Sequence, residues 1–275
     1  MNFKKFAQKN ILITGASSGI GEAMASLLAH SSANLFLTGR NRDRLRAVCE
    51  KCDVIRQKAL GNTITYHATQ FFEVDLSLMD SIDTFVTTIT KEQISFDYIL
   101  LNAGISQRAL ALETDFSVDR TIMETNFFGP VYLIKKLSGM LLSGKPVHIA
   151  VTSSISGLFG FPLRSAYSAS KHALLGFFES LALENVHLKV TFLIPGRIHT
   201  PISMNAMLGD GSNYSKMDSG QASGMNVDKC ARIALRAIRD GKRRKLIGGN
   251  ELLLVFLKKY VPPLFYTLAR KVSAT

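Results

Sequence analysis

A single doubly wound α/β domain, one parallel sheet with helices on both faces, is the fold predicted by this 275-residue sequence. Three observations predict it. Short apolar runs alternate with longer amphipathic ones along most of the chain. The short runs are rich in Ile, Leu, Val and Phe with little polar alternation, as strands buried on both faces require. The first run ends in a glycine-rich turn, Gly15-Ala16-Ser17-Ser18-Gly19-Ile20-Gly21, that opens a helix.

The elements follow in order. Asn10–Thr14 (NILIT) reads as a strand, Ile20–His30 as a helix and Asn34–Thr38 (NLFLT) as the second strand. Asp43–Lys58 is a charged helix, Phe71–Asp75 the third strand and Met79–Gln93 a helix. Asp97–Asn102 (DYILLN) is the fourth strand, followed by a long helix near Ser117–Ser143. Val147–Thr152 (VHIAVT) is the fifth strand, Ser165–Glu184 a helix and Lys189–Ile194 (KVTFLI) the sixth strand. No linker or internal repeat divides the chain, so residues 1–275 are expected to form one domain. Its parts are a core over 8–200, a loop over 201–226, and a C-terminal helix, strand and basic, apolar tail over 227–275. Pro201–Gly224, rich in Ser, Gly, Asn and Met, is too long for an ordinary connection and is expected to be a mobile functional loop.

Composition narrows the function. Hydrophobic residues make up 47%, which excludes a disordered chain. Three cysteines exclude a disulfide framework and suggest a reducing, cytoplasmic setting. No apolar run approaches the roughly 20 residues of a membrane span. The basic N-terminus MNFKKFAQKN lacks the apolar centre of a signal peptide. Cys49 and Cys52 have CxxC spacing, but only Cys230 remains and the six histidines form no ligand pattern, so no metal site is expected. The net charge of +12 comes with no reading helix, zinc motif or aromatic RNA platform, so nucleic acid is not an expected partner.

Glycines in the first turn allow tight backbone and close ligand approach, and the helix it opens presents unpaired N–H groups and a partial positive charge. A strand, a glycine turn and a helix N-terminus in that order suit a pyrophosphate. The spacing is Gly-x-x-x-Gly-x-Gly rather than Gly-x-Gly-x-x-Gly. The second strand ends at Thr38-Gly39-Arg40-Asn41, with Gly39 where an acid would accept an NAD ribose hydroxyl. Arg40 can pair a 2′-phosphate instead, so NADP(H) is the expected cofactor. Arg42 is a weaker candidate for the same contact, although it, Arg44 and Arg46 read better as a solvated helix face.

Tyr167-Ser168-Ala169-Ser170-Lys171 places a phenol and an ammonium one helical turn apart. A neighbouring cation favours phenolate and is expected to lower the Tyr167 pKa, so that the phenol can exchange protons near neutrality. Ser153-Ser154-Ile155-Ser156-Gly157, after the fifth strand, supplies a hydroxyl to hold a substrate oxygen.

With these motifs in order from about Asn10 to Pro201, the sequence resembles the short-chain dehydrogenase/reductase family, a Rossmann-type fold. The resemblance implies that Gly15, Ser17, Ser18, Gly19, Ile20 and Gly21 form the cofactor turn and that Asp75 contacts the adenine. It implies that Asn102, Ala103 and Gly104 shape the adenosine side of the cleft. Asn126 matches the helix residue that holds a proton-relay water. Ser154, Tyr167 and Lys171 match the catalytic set, and Tyr167 and Lys171 also touch the cofactor. Pro195, Gly196, Ile198 and Thr200 match the segment that meets the nicotinamide carboxamide and a phosphate. The implied reaction is hydride transfer from NADPH C4 to a carbonyl, with Tyr167 giving the proton, and homodimers or homotetramers are common in the family.

The substrate is expected to be a hydrophobic carbonyl or alcohol. Leu158-Phe159-Gly160-Phe161-Pro162-Leu163 separates the catalytic Ser and Tyr, and Met204, Met207, Leu208 and Met217 sit in the loop. The same aromatics serve equally well as core. Arg232–Lys271 holds eleven basic residues and two acids, beside the apolar run Leu252–Leu257. Packing of this tail on the fold or on another subunit is preferred over peripheral contact with an anionic membrane. A non-catalytic NADP(H) sensor or scaffold is the alternative function, against which the intact Ser154, Tyr167 and Lys171 set argues.

Overall fold

The computed structural model describes residues 4–61 and 67–270. The seven strands are β1 (Asn10–Thr14), β2 (Asn34–Gly39), β3 (Gln70–Glu73), β4 (Tyr98–Leu101), β5 (Val147–Thr152), β6 (Leu188–Pro195) and β7 (Arg244–Ile247). They form one parallel sheet in the order β3-β2-β1-β4-β5-β6-β7. The chain builds outward from β1 to β3, then crosses back to β4. A cleft therefore opens above the carboxyl ends of β1 and β4, where the direction of winding reverses.

Alternation along the strands explains two apolar layers. Leu12, Phe36, Ile99, Leu101, Ile149 and Val151 face one side. There they meet α3 (Met79–Lys91), α5 (Gly129–Lys136) and α7 (Ser165–Glu184) through Ile82, Phe85, Leu133, Leu174 and Phe178. Ile11, Ile13, Leu35, Leu37, Leu100 and Leu193 face the other side. They meet α1 (Gly19–Leu28), α2 (Arg42–Leu60) and α9 (Val227–Arg239) through Met24, Leu28, Leu45, Val48 and Leu235. Small residues Ala23, Ala231 and Ala234 are buried in this layer, where α1 and α9 pack closely.

The long helix expected over Ser117–Ser143 is broken. It consists of α4 (Phe116–Met123), a π-helical turn Glu124–Phe128, α5 and a short α6 (Ser138–Leu141). Pro130, near the start of α5, has no N–H to give the Asn126 carbonyl four residues back. The backbone widens instead, and the Gly129 N–H reaches the Glu124 carbonyl.

The loop over 201–226 is fastened rather than loose. Backbone bridges join Met207 to Gln107 and to Asn213, and Ile198 to Met225. Short α8 (Ser219–Ala222) follows Asp218, which is 3% exposed and accepts from Arg108 and Arg164. The tail forms α10 (Leu253–Tyr260) and α11 (Pro262–Ala269). Leu254, Phe265 and Ala269 pack into the core, whereas Leu253, Phe256, Tyr260, Leu264 and Tyr266 are exposed. Among the described residues, no helix is long and apolar enough to cross a membrane.

Arg56 is fully buried and ties α2 to the edge of the sheet. Its guanidinium donates to Asp53 at 2.8 Å, to the His67 carbonyl at 3.1 Å and to the Ala33 carbonyl at 3.0 Å. Arg56→Leu leaves those acceptors without their donor and is expected to cost about 2–4 kcal/mol of stability. Urea unfolding followed by circular dichroism measures it, and an unchanged midpoint contradicts the role.

Candidate active site

The site begins at the end of β1. Gly15 has φ +65, and a Cβ there would stand 2.6 Å from the Ala103 Cα. Gly21 lies equally close under the turn, where a Cβ would meet the Gly15 carbonyl oxygen at 2.3 Å. The Thr14 hydroxyl accepts from the N–H of Asn102 at 3.0 Å and of Ala103 at 3.1 Å. The Asn102 amide donates back to the Gly15 carbonyl at 3.3 Å. The turns leaving β1 and β4 are thus locked together by two side chains, each bonded to the backbone of the other turn.

Above them lies a cleft of about 630 Å³. Ser17, Ser18, Gly19 and Ile20 form one wall. Ser18 makes no side-chain cap bond to α1, so the first N–H donors of that helix are left to the cleft. Thr200 stands over the turn, its methyl 3.5 Å from where a Gly19 Cβ would sit. Asp75 lines the far end, its carboxylate accepting from the Ser77 N–H and hydroxyl. Pro195, the last residue of β6, and Gly196 and Ile198 just after it close the other side.

Arg40 lines the cleft beside Gly39 and is exposed. Arg44 lines it as well, which the sequence reading missed by assigning that residue to a solvated helix face. Arg42 turns the other way and lies 5.9 Å above the Phe71 ring. The signal available was helical periodicity: Asn41 caps α2 by accepting from the Arg44 N–H, which places Arg44 in the first turn.

Ser154, Tyr167 and Lys171 meet at the cleft's inner end, together with Gly104. Lys171 is buried, donates to the Thr152 carbonyl at 3.0 Å, and sits 5.8 Å from the centre of the Tyr167 ring. Both Lys171 Nζ and Asn126 Oδ1 lie 3.2 Å from where a Gly104 Cβ would be. Asn126 lies behind this wall, fully buried in the π-helical turn. Its side chain bonds both backbone groups of Ile105 and the Ser170 hydroxyl. Ser153 is occupied elsewhere, donating to the Lys171 carbonyl at 3.0 Å.

The electrostatics correct the expectation for Tyr167. Burial raises its pKa above the ordinary value, against the Ser154 hydroxyl and the charges of Arg164 and Arg108, which pull it down. Lys171 is not the cation that acts most strongly on it. Burial pushes Lys171 itself down to about 8.

Sequence reasoning also missed Gln107. It is fully buried, and its carbonyl oxygen accepts from the Ala166 N–H at 3.0 Å, capping the helix that carries Tyr167. Of the apolar residues expected to line the pocket, Phe159 is core, stacked edge-on against Phe265. Met207 packs against Ile105, Val118 and Ile122, and Met204 and Met217 are partly exposed. Phe161 lines a smaller recess beyond Ser154.

Residues 9–210 match the short chain dehydrogenase family. The chain belongs to the short-chain dehydrogenase/reductase family. Dehydrogenase/reductase SDR family member 7B of Xenopus laevis is 36% identical over 94% of this chain and 80% of its own length. The SDR family protein 7-like of Anopheles gambiae is 36% identical over 98% of this chain and 84% of its own. A Burkholderia phymatum short-chain dehydrogenase/reductase solved with NAD shares the fold, with TM-score 0.78 at 20% identity over 94% of this chain and 95% of its own. A Shigella flexneri short-chain dehydrogenase solved with NADP has TM-score 0.71 at 26% identity over 88% of this chain and 96% of its own. As a member of the family, the protein is an NAD(P)-dependent oxidoreductase acting on CH–OH groups. Among the described residues no group of three His, Cys, Asp or Glu side chains could hold a metal.

The cleft floor has no room for a side chain on residue 15. Gly15→Ala is expected to lower the melting temperature by several degrees, through a strained φ and a clash with Ala103, and to abolish nucleotide binding. Calorimetry and NADPH fluorescence titration check both, and full binding by the variant contradicts the assignment of this turn.

Proposed function

We propose that the protein reduces a hydrophobic ketone or aldehyde to the alcohol, using NADP(H) in preference to NAD(H). The observation that carries the reading is the meeting of Ser154, Tyr167 and Lys171 at the inner end of the cleft whose outer end holds Gly39, Arg40 and Arg44. The residues fit a nicotinamide dinucleotide: uncapped helix donors for a pyrophosphate, a crowded glycine floor, and cations where the second strand ends. Bound there, the cofactor supplies a hydride from nicotinamide C4. Pro195, Gly196, Ile198 and Thr200 hold its nicotinamide half, and Asp75, Asn102 and Ala103 its adenosine half.

Tyr167 donates its hydroxyl proton to the carbonyl oxygen as the carbonyl carbon becomes the alcohol carbon. Burial keeps the phenol protonated at neutral pH, which suits an acid that gives a proton. Ser154 hydrogen-bonds the same oxygen and sets its position. Lys171 supports the phenolate as it forms, and the proton is restored along Lys171 and a water held at Asn126. The Asn126 carbonyl lacks its ordinary helical donor because position 130 is proline, which leaves it open to such a water.

The protein is further proposed to assemble as a homodimer or homotetramer, with the exposed apolar face of α10 and α11 as subunit surface. Contact of that basic face with an anionic membrane is the rival use, favoured by Lys258, Lys259 and Arg270 beside Phe256, Tyr260 and Leu264.

Tyr167→Phe is expected to reduce kcat/KM for carbonyl reduction by roughly 10²–10⁴-fold while NADPH still binds. For the native protein the reduction rate should be level below pH about 8 and fall above it, as Lys171 loses its proton. Normal turnover by the variant, or a rate that climbs through that pH, counts against the mechanism. Arg40→Asp should raise KM for NADPH by roughly tenfold and improve the use of NADH, since it exchanges an attractive charge for a repulsive one. Steady-state kinetics with both cofactors decide it, and an unchanged preference removes Arg40 from the cofactor contact.

A further inference from the structure

Glu251 opens the C-terminal tail and lies outside residues 9–210, the span that matches the family. It stands in the short turn that leads from β7 into α10. Its side chain nevertheless reaches back to the wall of the cleft. One carboxylate oxygen accepts from the Arg197 N–H at 2.8 Å and from the Gly249 N–H at 3.1 Å. Glycines make the space for it. A Cβ on Gly196 would overlap the carboxylate, with the Glu251 Cδ at 2.9 Å, and a Cβ on Gly248 would overlap it as well. The carboxylate thus lies flat between two strand-end segments, one after β6 and one after β7.

The place of this contact follows from where the sheet stops. The carbonyl of Ile247, the last residue of β7, accepts from the Gly196 N–H at 2.8 Å. One residue further the Arg197 N–H takes a side-chain acceptor in place of a strand. Met225 then takes over, donating to the Arg197 carbonyl at 2.8 Å and accepting from the His199 N–H at 2.9 Å. Glu251 therefore fixes the link between the last sheet contact of β6 and the loop that follows. Gly196 and Ile198, on either side of that link, line the cleft together with Ser154 and Tyr167. The same tail also supports the segment after Ser154, since Phe265 of α11 packs on Phe159 with ring centres 4.9 Å apart.

We propose that Glu251 is a positioning residue for the reaction: its carboxylate sets the backbone of residues 196–198 that walls the nicotinamide end of the cleft. The inference rests on the reductase reading, which gives that backbone to the nicotinamide half of the cofactor. An ionised carboxylate makes charge-assisted bonds to backbone donors, stronger than those of a neutral acceptor. Glu251 is not among the residues lining the cleft, so it acts through residues 196–198. Its loss leaves two N–H groups without that acceptor and frees the segment to shift. Such a shift misaligns the nicotinamide and leaves the adenosine half where the glycine turn and Arg40 hold it.

The test separates the two halves of the cofactor. In Glu251→Ala, 2′,5′-ADP, which carries no nicotinamide, should bind with unchanged affinity by calorimetry. NADPH should bind several-fold more weakly, and its fluorescence in the complex should resemble that of the free cofactor. With benzaldehyde and acetophenone as test carbonyls, kcat should fall roughly 10- to 100-fold, the cost of a misplaced reactant. Glu251→Gln keeps an oxygen that can accept both N–H groups and should restore most of the rate and the bound-state fluorescence. Glu251→Asp keeps the charge but loses the reach; it should behave like Glu251→Ala and replaces that variant if it fails to fold. Native kcat and native NADPH fluorescence in Glu251→Ala and Glu251→Asp overturn the proposal. So does an equal loss of 2′,5′-ADP and NADPH binding, which marks a general packing role. The expected binding and fluorescence changes in a protein that reduces no carbonyl overturn the reductase reading and leave the positioning role.

Discussion

Everything in the site depends on one crossing point, where the ends of β1 and β4 lie side by side. The Thr14 hydroxyl bonds two successive N–H groups of the β4 turn, and Gly15 lets the two backbones touch. The glycine turn departs to one side of that point. Gly104 departs to the other and brings Asn126 and Lys171 within reach of the cleft. A side chain at residue 15 would separate the strand ends, and with them the proposed phosphate contacts from Ser154, Tyr167 and Lys171. The parallel order of the sheet creates the crossing, and small residues let it close.

Burial governs Tyr167 and Lys171 more strongly than their mutual attraction. A phenol and an amine one turn apart on an exposed helix would favour their charged forms. Here both are enclosed, so the phenol holds its proton and the ammonium gives its proton up more readily. The Thr152 carbonyl offsets part of the cost of enclosing Lys171. The resting arrangement is thus an acid beside a weakened cation, whereas the pentamer alone suggests a phenolate beside a strong one.

The contrast shows what a sequence makes legible. Strands buried on both faces declare themselves by composition, and six of them lie within a residue or two of their expected bounds. That the glycine turn, Arg40 and Ser154 share one cleft was legible because each follows a strand end, and all strand ends in a parallel sheet share one side; Tyr167 and Lys171 join them from one turn of α7. Pro130 was a visible warning against one helix over 117–143, overridden by the apolar pattern around it. Gln107 and the Arg108–Asp218 pair were not legible. Their partners lie 59 and 110 residues away, and no local pattern records a contact of that range. The pKa of Tyr167 had the wrong expected sign because depth of burial is a property of the packed molecule.

The fastening of the loop over 201–226 comes from residues far apart in the chain. Arg108 is wholly enclosed and grips Asp218 through its fork, and Arg164, just before the helix that carries Tyr167, meets the same carboxylate at 3.2 Å. A buried carboxylate is tolerated only while it is paired, so the loop cannot part from the core here without leaving a buried charge alone. A solely apolar loop would slide or repack at a smaller cost. One aspartate thus sets the loop, the strand-end segment of Arg108 and the start of α7 against one another, and the position of Tyr167 depends on a contact that Arg164 makes 54 residues further along the chain.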